Sequence, residues 1–162
     1  MSCSIPKIQA HANYGRRLFD ASSVELICVD PARIHEVWPH VRALLEKACR
    51  RTGLNAFAEF EADILAGRSL VWLAWNGSAI EAAAATALIN SDLGKVCVIT
   101  LCAGRGMPRW LKLMERIEAY AHEEGCARLR ICGRKGWLRV LAGFGAKYVV
   151  MDKELTRGLK TT

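Results

Sequence analysis

Two short runs in this chain combine the residue types that hold anions. Gly104-Arg105-Gly106-Met107-Pro108-Arg109 brings glycines, arginines and a helix start together. Glycine lets the backbone approach a ligand, arginine supplies charge and a fork of donors, and the free amides of a helix start favour negative groups. The same run also reads as an ordinary strand–helix connection with proline near the helix start. The second run, Gly133-Arg134-Lys135-Gly136-Trp137, sets two cations beside an aromatic ring; it reads equally as a surface turn anchored by its tryptophan. Cys102 just precedes the first run. A thiol next to Arg105 and a helix start is activated toward the thiolate, yet no histidine is near in sequence, and packing is the simpler reading.

The other thiols point the same way. Cys3, Cys28, Cys49, Cys97, Cys102, Cys126 and Cys132 make an odd count of seven with no C-x-x-C pair, and most lie in apolar runs. They read as reduced, packed side chains, and no metal is expected. His35 and His40 are five apart, the wrong spacing for a ligand pair on one helix face. No Ser-His-Asp arrangement, P-loop or calcium loop is visible.

The elements that must position these residues follow from periodicity. Val24–Val29 reads as a strand, and Asp30-Pro31 as a helix start. Ile34, Val37, Trp38, Val41, Leu44, Leu45 and Ala48 make one helical face, with Pro39 expected to kink or split the helix and Gly53 to end it. A short helix carries Phe57, Phe60 and Ile64. Leu70–Trp75, Ala79–Ile89 and Lys95–Ala103 read as strands joined by turns at Asn76-Gly77 and 90–94. The last of them is apolar on both faces, with Val96, Val98 and Cys102 set against Cys97, Ile99 and Leu101, which marks a central strand. Trp110, Leu113, Met114, Ile117, Tyr120 and Ala121 form the stripe of what reads as the longest clean helix. A strand at Leu129–Ile131, a short helix at Trp137–Leu141 and a last strand at Tyr148–Met151 complete the order β-α-α-β-β-β-α-β-α-β. Residues 95–132 should be a right-handed parallel crossover, with the strands at 95–103 and 128–132 splaying to leave a cleft. Residues 1–23 read as an N-terminal arm, and 24–162 as one α/β domain with a mixed sheet flanked by helices.

Composition narrows the partners. The chain has 162 residues, 52% of them hydrophobic, which suits one domain with a sizeable core. It has no apolar run of about 18 residues for a membrane span and no apolar signal segment in its first twenty residues, so the expected location is cytoplasmic, without a membrane partner. The net charge is +7, and nine basic residues against four acids fall between Arg105 and Arg139. Such a patch attracts phosphates. Its interleaving with Glu115, Glu118, Glu123 and Glu124 and the lack of a reader motif argue against nucleic acid.

The element order resembles that of the GNAT N-acetyltransferase superfamily over roughly residues 24–155. The best-matching piece is Arg105-Gly106, followed by the helix Leu113–Gly125 with its Ala-x-x-x-Gly ending, where the family has an R-G-x-G-x-G-like loop and then a helix with a leucine-rich stripe; Gly133–Tyr148 resembles the family's final short helix and Gly-Phe turn. The resemblance implies an acetyl-CoA or other acyl-CoA cofactor, its pyrophosphate on backbone amides of the loop and its thioester carbonyl polarised by a backbone N–H near Leu101–Ala103. The implied cofactor contacts are Leu101, Cys102, Ala103, Gly104, Arg105, Gly106, Met107, Arg109, Arg134 and Trp137. The match is degenerate. The family's next loop glycine falls on Pro108, which has no N–H, and the last on Trp110, whose bulk would crowd the cradle. The general-acid tyrosine falls near Leu141. The family's general base has one candidate, Glu81, whose simpler reading is a solvent-facing edge residue beside a hairpin.

The function the resemblance implies is acyl-CoA-dependent transfer to the amine of a small molecule or peptide. The alternative is a catalytically inactive GNAT-like interaction module of phage or prophage type, its alanine- and tryptophan-rich strands serving an interface such as that of a homodimer.

Overall fold

The Asp30 side chain accepts from Ala32 N at 2.9 Å and Pro31 takes the first position of a 3-10 turn, Pro31–Arg33, that leads into helix α1, Ile34–Thr52. Gly53 closes α1 with a φ of 65° and its N–H on Cys49 O. Pro39 does not split α1, which runs unbroken for 19 residues. Its ring is exposed, and burial of Trp38, Val41 and Leu45 on the inner side holds the helix past the missing N–H. Helix α2, Phe57–Leu65, packs on α1 through Trp38 stacked on Phe57, with ring centroids 6.2 Å apart.

The computed structural model describes residues 24–133, 135–141, 143–146 and 150–153, without the side chains of Arg109, Leu113 and Lys135. The expected arm at 1–23, Arg134, and Tyr148 and Val149 of the expected last strand lie outside the described residues. Val150 and Met151 are exposed and in no strand.

Five strands form one mixed sheet in the order β1-β2-β3-β4-β5: β1 Glu25–Cys28, β2 Ser69–Trp75, β3 Ile80–Ser91, β4 Gly94–Gly104 and β5 Arg128–Ile131. The first four pair antiparallel and β5 pairs parallel to β4. The α/β class and the parallel crossover are those expected. Helices cover both faces. Val41, Leu45 and Cys49 of α1 and Ile64 of α2 pack on Val71, Leu73, Ala83, Ala85 and Leu101. On the other face, Met114, Ile117 and Ala121 pack on Leu26, Trp72, Ala84, Cys97 and Ile99.

Segment 107–123 departs from the expected single helix. It is a four-residue turn α3, Met107–Trp110, a 3-10 turn at Leu111–Leu113, and helix α4, Met114–Glu123. The helix is tightened between two anchors: Trp110 is buried against Ala74 and Ala82, and Met114 in the neighbouring cluster. The expected short helix near Trp137 is a 3-10 turn, Lys135–Arg139.

β4 carries the main irregularity. Ala85 pairs with Leu101 and Thr86 with Ile99, so Thr100 is an extra residue, a β-bulge. Its hydroxyl donates to Ala85 O at 3.2 Å. The bulge breaks the expected alternation: Leu101 joins the α1 face, whereas Cys102 turns to the α4 face with Cys97 and Ile99.

Candidate functional site

The β4–β5 ladder runs from Val96–Arg128 to Ile99–Ile131 and ends there, apart from a long contact from Cys132 N to Ile99 O at 3.4 Å. β4 continues to Gly104 without β5 beside it. The bulge at Thr100 bends the strand at the point where pairing stops. The result is a cleft at the C-terminal ends of the two strands, as the two-faced apolar pattern predicts. Thr100, Leu101 and Cys102 form one wall, Cys132, Gly133 and Trp137 the other, and Ala48, Arg51 and Thr52 from the end of α1 close one side. The cleft's enclosed volume is about 40 Å³, and the rest of the space is open to solvent.

Behind the cleft, the loop 104–109 is built tightly. Gly104 lies against β3, where an added Cβ would run into Ala82 Cβ and come within 2.8 Å of Glu81 O. Arg105 N donates to Glu81 O at 2.8 Å, and the Trp110 indole N–H donates to Arg105 O at 2.9 Å. Gly106, with φ 64°, makes a left-handed turn into α3 that other residues adopt only under strain. Arg105 is exposed. Pro108 lies in the first turn of α3 and contributes no N–H there.

Trp110 does not crowd this loop. Its side chain is 5% exposed and turns under the sheet onto Ala74 and Ala82. The small β-carbons of the alanine-rich strand leave the room that the indole fills. Trp137 packs tilted against Trp110, with ring centroids 6.1 Å apart, and reaches the cleft wall. Gly133 permits this, because a Cβ there would meet the Trp137 ring at 2.9 Å.

The remaining candidates are placed as follows. Leu101 lends its side chain to the α1 core, so only its backbone is left for a ligand. Ala103 pairs with Ala83, and Met107 lies at the margin of the Trp110 cluster. Glu81 is not a solvent-facing edge residue. It is 9% exposed, on a strand with neighbours on both sides, and its carboxylate accepts from Asn76 Nδ2 at 2.8 Å. It does not line the cleft. Burial pushes the Cys102 thiol up to about 12 and the Cys97 thiol to about 11. The activated-thiolate reading of Cys102 is therefore overturned: desolvation outweighs Arg105, whose side chain points to solvent. Leu141, where the resemblance places the acid tyrosine, is buried with Met114 and Ile117.

The basic patch is partly spent on the fold. Arg116 donates to Leu26 O at 3.0 Å, tying α4 to β1, and Glu124 is taken by Lys95 at 3.0 Å. Among the described residues, no group of three or more His, Cys, Asp or Glu could hold a metal, and no helix is long and apolar enough to cross a membrane. Sequence reasoning missed Arg51, Thr52 and Thr100 as cleft residues. Arg51 reads only as a cation at a helix end, and the bulge that exposes Thr100 has no glycine to announce it.

No protein-family model matches the chain, and no curated protein does. Solved structures do. An aminoglycoside acetyltransferase, meta-AAC0020, from an uncultured soil metagenomic sample, solved with sisomicin, superposes with a TM-score of 0.61 at 11% identity over 82% of this chain and 95% of that one. A predicted acetyltransferase from Clostridium acetobutylicum, solved with acetyl-CoA, gives 0.57 at 15% identity over 81% and 96%. A GNAT family acetyltransferase from Staphylococcus aureus gives 0.54 at 10% over 82% and 99%. At these identities the likeness speaks for the fold, and the fold of this chain is that of the GNAT acetyltransferases.

Proposed function

We propose that the chain binds an acyl-CoA in the β4–β5 cleft and transfers its acyl group to an amine. The observation that carries this is the end of the β4–β5 ladder at Ile99–Ile131, which leaves the backbone of Thr100–Gly104 open to a ligand. An extended amide-bearing arm fits such a wall by continuing the strand's hydrogen bonding. The neighbour from Clostridium acetobutylicum was solved with acetyl-CoA. The bound thioester supplies an activated acyl carbon; the protein's part is to position and polarise it. Arg105 N is committed to Glu81 O on β3. Strand alternation then turns the amides of Cys102 and Gly104 toward the cleft, where one of them would polarise the acyl carbonyl. Arg105 and Arg109 would supply charge for phosphates at the loop in place of the amide that Pro108 lacks. Among the described residues no carboxylate lines the cleft, so the acceptor amine would lose its proton to water, and positioning would carry most of the rate.

Thermal unfolding with and without acetyl-CoA tests binding. Ligand at about 100 times its dissociation constant adds roughly 2.7 kcal/mol of stability. No shift at millimolar acetyl-CoA would contradict the reading. In that event a non-catalytic module with a transferase fold takes its place. Two observations favour that second reading: Pro108 in the first turn of the loop helix, and a buried Leu141 where an acid would stand.

A further inference from the structure

The charge of the cleft separates possible acceptors. Among the described residues, its lining holds one ionisable cation, Arg51, and no Asp or Glu. The arginines nearest Arg51 on α1 are occupied: Arg50 pairs with Glu46 at 2.7 Å, and Arg42 with Glu46 at 3.0 Å and Glu61 at 2.7 Å. Arg51, one residue beyond Arg50, has no ion pair among the described residues, and it is exposed at the cleft mouth. Helix geometry explains the difference. Glu46 and Arg50 are four apart and stack on one face; Arg51 lies a further 100° around, toward β4. The neighbouring Thr52 hydroxyl is spent on Cys49 O at 2.8 Å, so the guanidinium is the polar group this end of α1 offers to a ligand. The loop residues Gly104–Arg109 do not line this space, which separates Arg51 from the proposed phosphate site.

We propose that Arg51 receives the carboxylate of the acceptor, and that the acceptor is an amine bearing a carboxylate, such as an amino acid or the end of a short peptide, and not a polycation. The inference rests on the transferase reading above. A guanidinium fork matches a carboxylate in two parallel hydrogen bonds. A polyamine would meet like charge and find no carboxylate to hold its ammonium groups. In the reaction the amine nitrogen bonds to the acyl carbon, the carbon–sulfur bond breaks, and the departing thiolate is balanced by the proton that the amine loses. The acetyltransferase solved with sisomicin therefore shares this chain's fold and, on this proposal, not its acceptor chemistry.

The test is a panel of acceptors with acetyl-CoA, read by chromatography of the acylated product: free L-amino acids, their C-terminal amides, and sisomicin. The expected result is a kcat/KM at least about tenfold higher for the best amino acid than for its amide, as the loss of one charge-assisted pair implies. Arg51→Ala should erase that preference, through KM, while leaving the acetyl-CoA-induced rise in unfolding temperature unchanged. Arg51→Lys should restore part of the preference. The proposal is overturned if amides or sisomicin serve equally well, if Arg51→Ala keeps the preference, or if Arg51→Ala loses acetyl-CoA binding, which would make Arg51 a cofactor ligand. A wild-type protein that binds no acetyl-CoA overturns the transferase reading itself, and this inference with it.

Discussion

At the residue scale, packing decides which candidate groups retain chemistry. Cys102 sits where a nucleophile would be useful, yet its thiol is held up to about 12 by burial. Little of it is thiolate at pH 8. Iodoacetamide at that pH should therefore label exposed Cys132 well before Cys102, as read by peptide mass spectrometry; equal rates would show that the Cys102 environment is wetter than described. Gly104 makes a complementary case. Any side chain there collides with β3 backbone and Ala82. Gly104→Ala should cost on the order of 1–3 kcal/mol in denaturant unfolding, because the groups it meets are backbone and the Ala82 Cβ, with nowhere to rotate. The sequence shows this glycine but not its reason. It reads as part of an anion cradle, and the structure adds a close strand contact.

At the element scale, period and punctuation are enough to find most of the fold. Asp30-Pro31 and Gly53 mark α1, Asn76-Gly77 marks the β2–β3 turn, and the two-faced apolar run marks β4. What they do not show is where the period breaks. The Thr100 bulge flips Leu101 and Cys102 relative to simple alternation, and nothing in Ile-Thr-Leu distinguishes a bulged strand from a regular one. The break at 111–113 is hidden too, because Trp110 and Met114 are spaced as one stripe although they serve different clusters. Deleting Thr100 removes the extra residue and should leave a regular ladder, with Leu101 still opposite Ala85 on the α1 face. The bend in β4 should be lost with it, so acetyl-CoA binding should weaken while the fold is retained, as read by thermal unfolding with and without the ligand. Unchanged acetyl-CoA binding would mean that the bulge does not shape the cleft. The α1–α2 pair has a pH signature. The Glu61 carboxylate takes Arg42 at 2.7 Å and the Trp38 indole N–H at 3.0 Å. The Arg42 hydrogen bond is the largest cause of its lowered pKa. A depressed carboxylate contributes stability above its unfolded value, and the contribution fades as pH falls through the folded value. Glu61→Gln should thus be less stable than wild type at pH 7, with the difference shrinking as pH falls through and below the ordinary carboxylate range.

At the scale of the whole molecule, a sheet opened between β4 and β5 is the feature on which the proposed function turns. The two-faced apolar pattern of β4 and the crossover helix predict the opening, and the ladder ends at Ile99–Ile131. Two residues that close the cleft, Arg51 and Thr52, come from a helix end more than 45 positions earlier in the chain, and no local motif links them to β4. The charge at the loop belongs to this scale as well. Replacing Arg105 and Arg109 by Ala together should weaken acetyl-CoA binding at least a hundredfold, as two charge-assisted contacts of about 1.5–3 kcal/mol imply, with the unfolding temperature of the free protein little changed. The same patch should not hold DNA or RNA at about 0.15 M salt; a submicromolar, sequence-independent complex at that salt would show that the interleaved glutamates fail to neutralise it.

The most direct measurement of the central claim is amide hydrogen exchange with and without acetyl-CoA, because it reports where the ligand lies as well as whether it binds. Backbone amides from Thr100 to Gly104, left without β5 beside them, should slow markedly in its presence, together with Cys132 and Gly133 across the cleft, while Ser69–Trp75 of β2 stays unchanged. Exchange that is unaltered at Thr100–Gly104, or protection confined to another face of the sheet, would contradict the account.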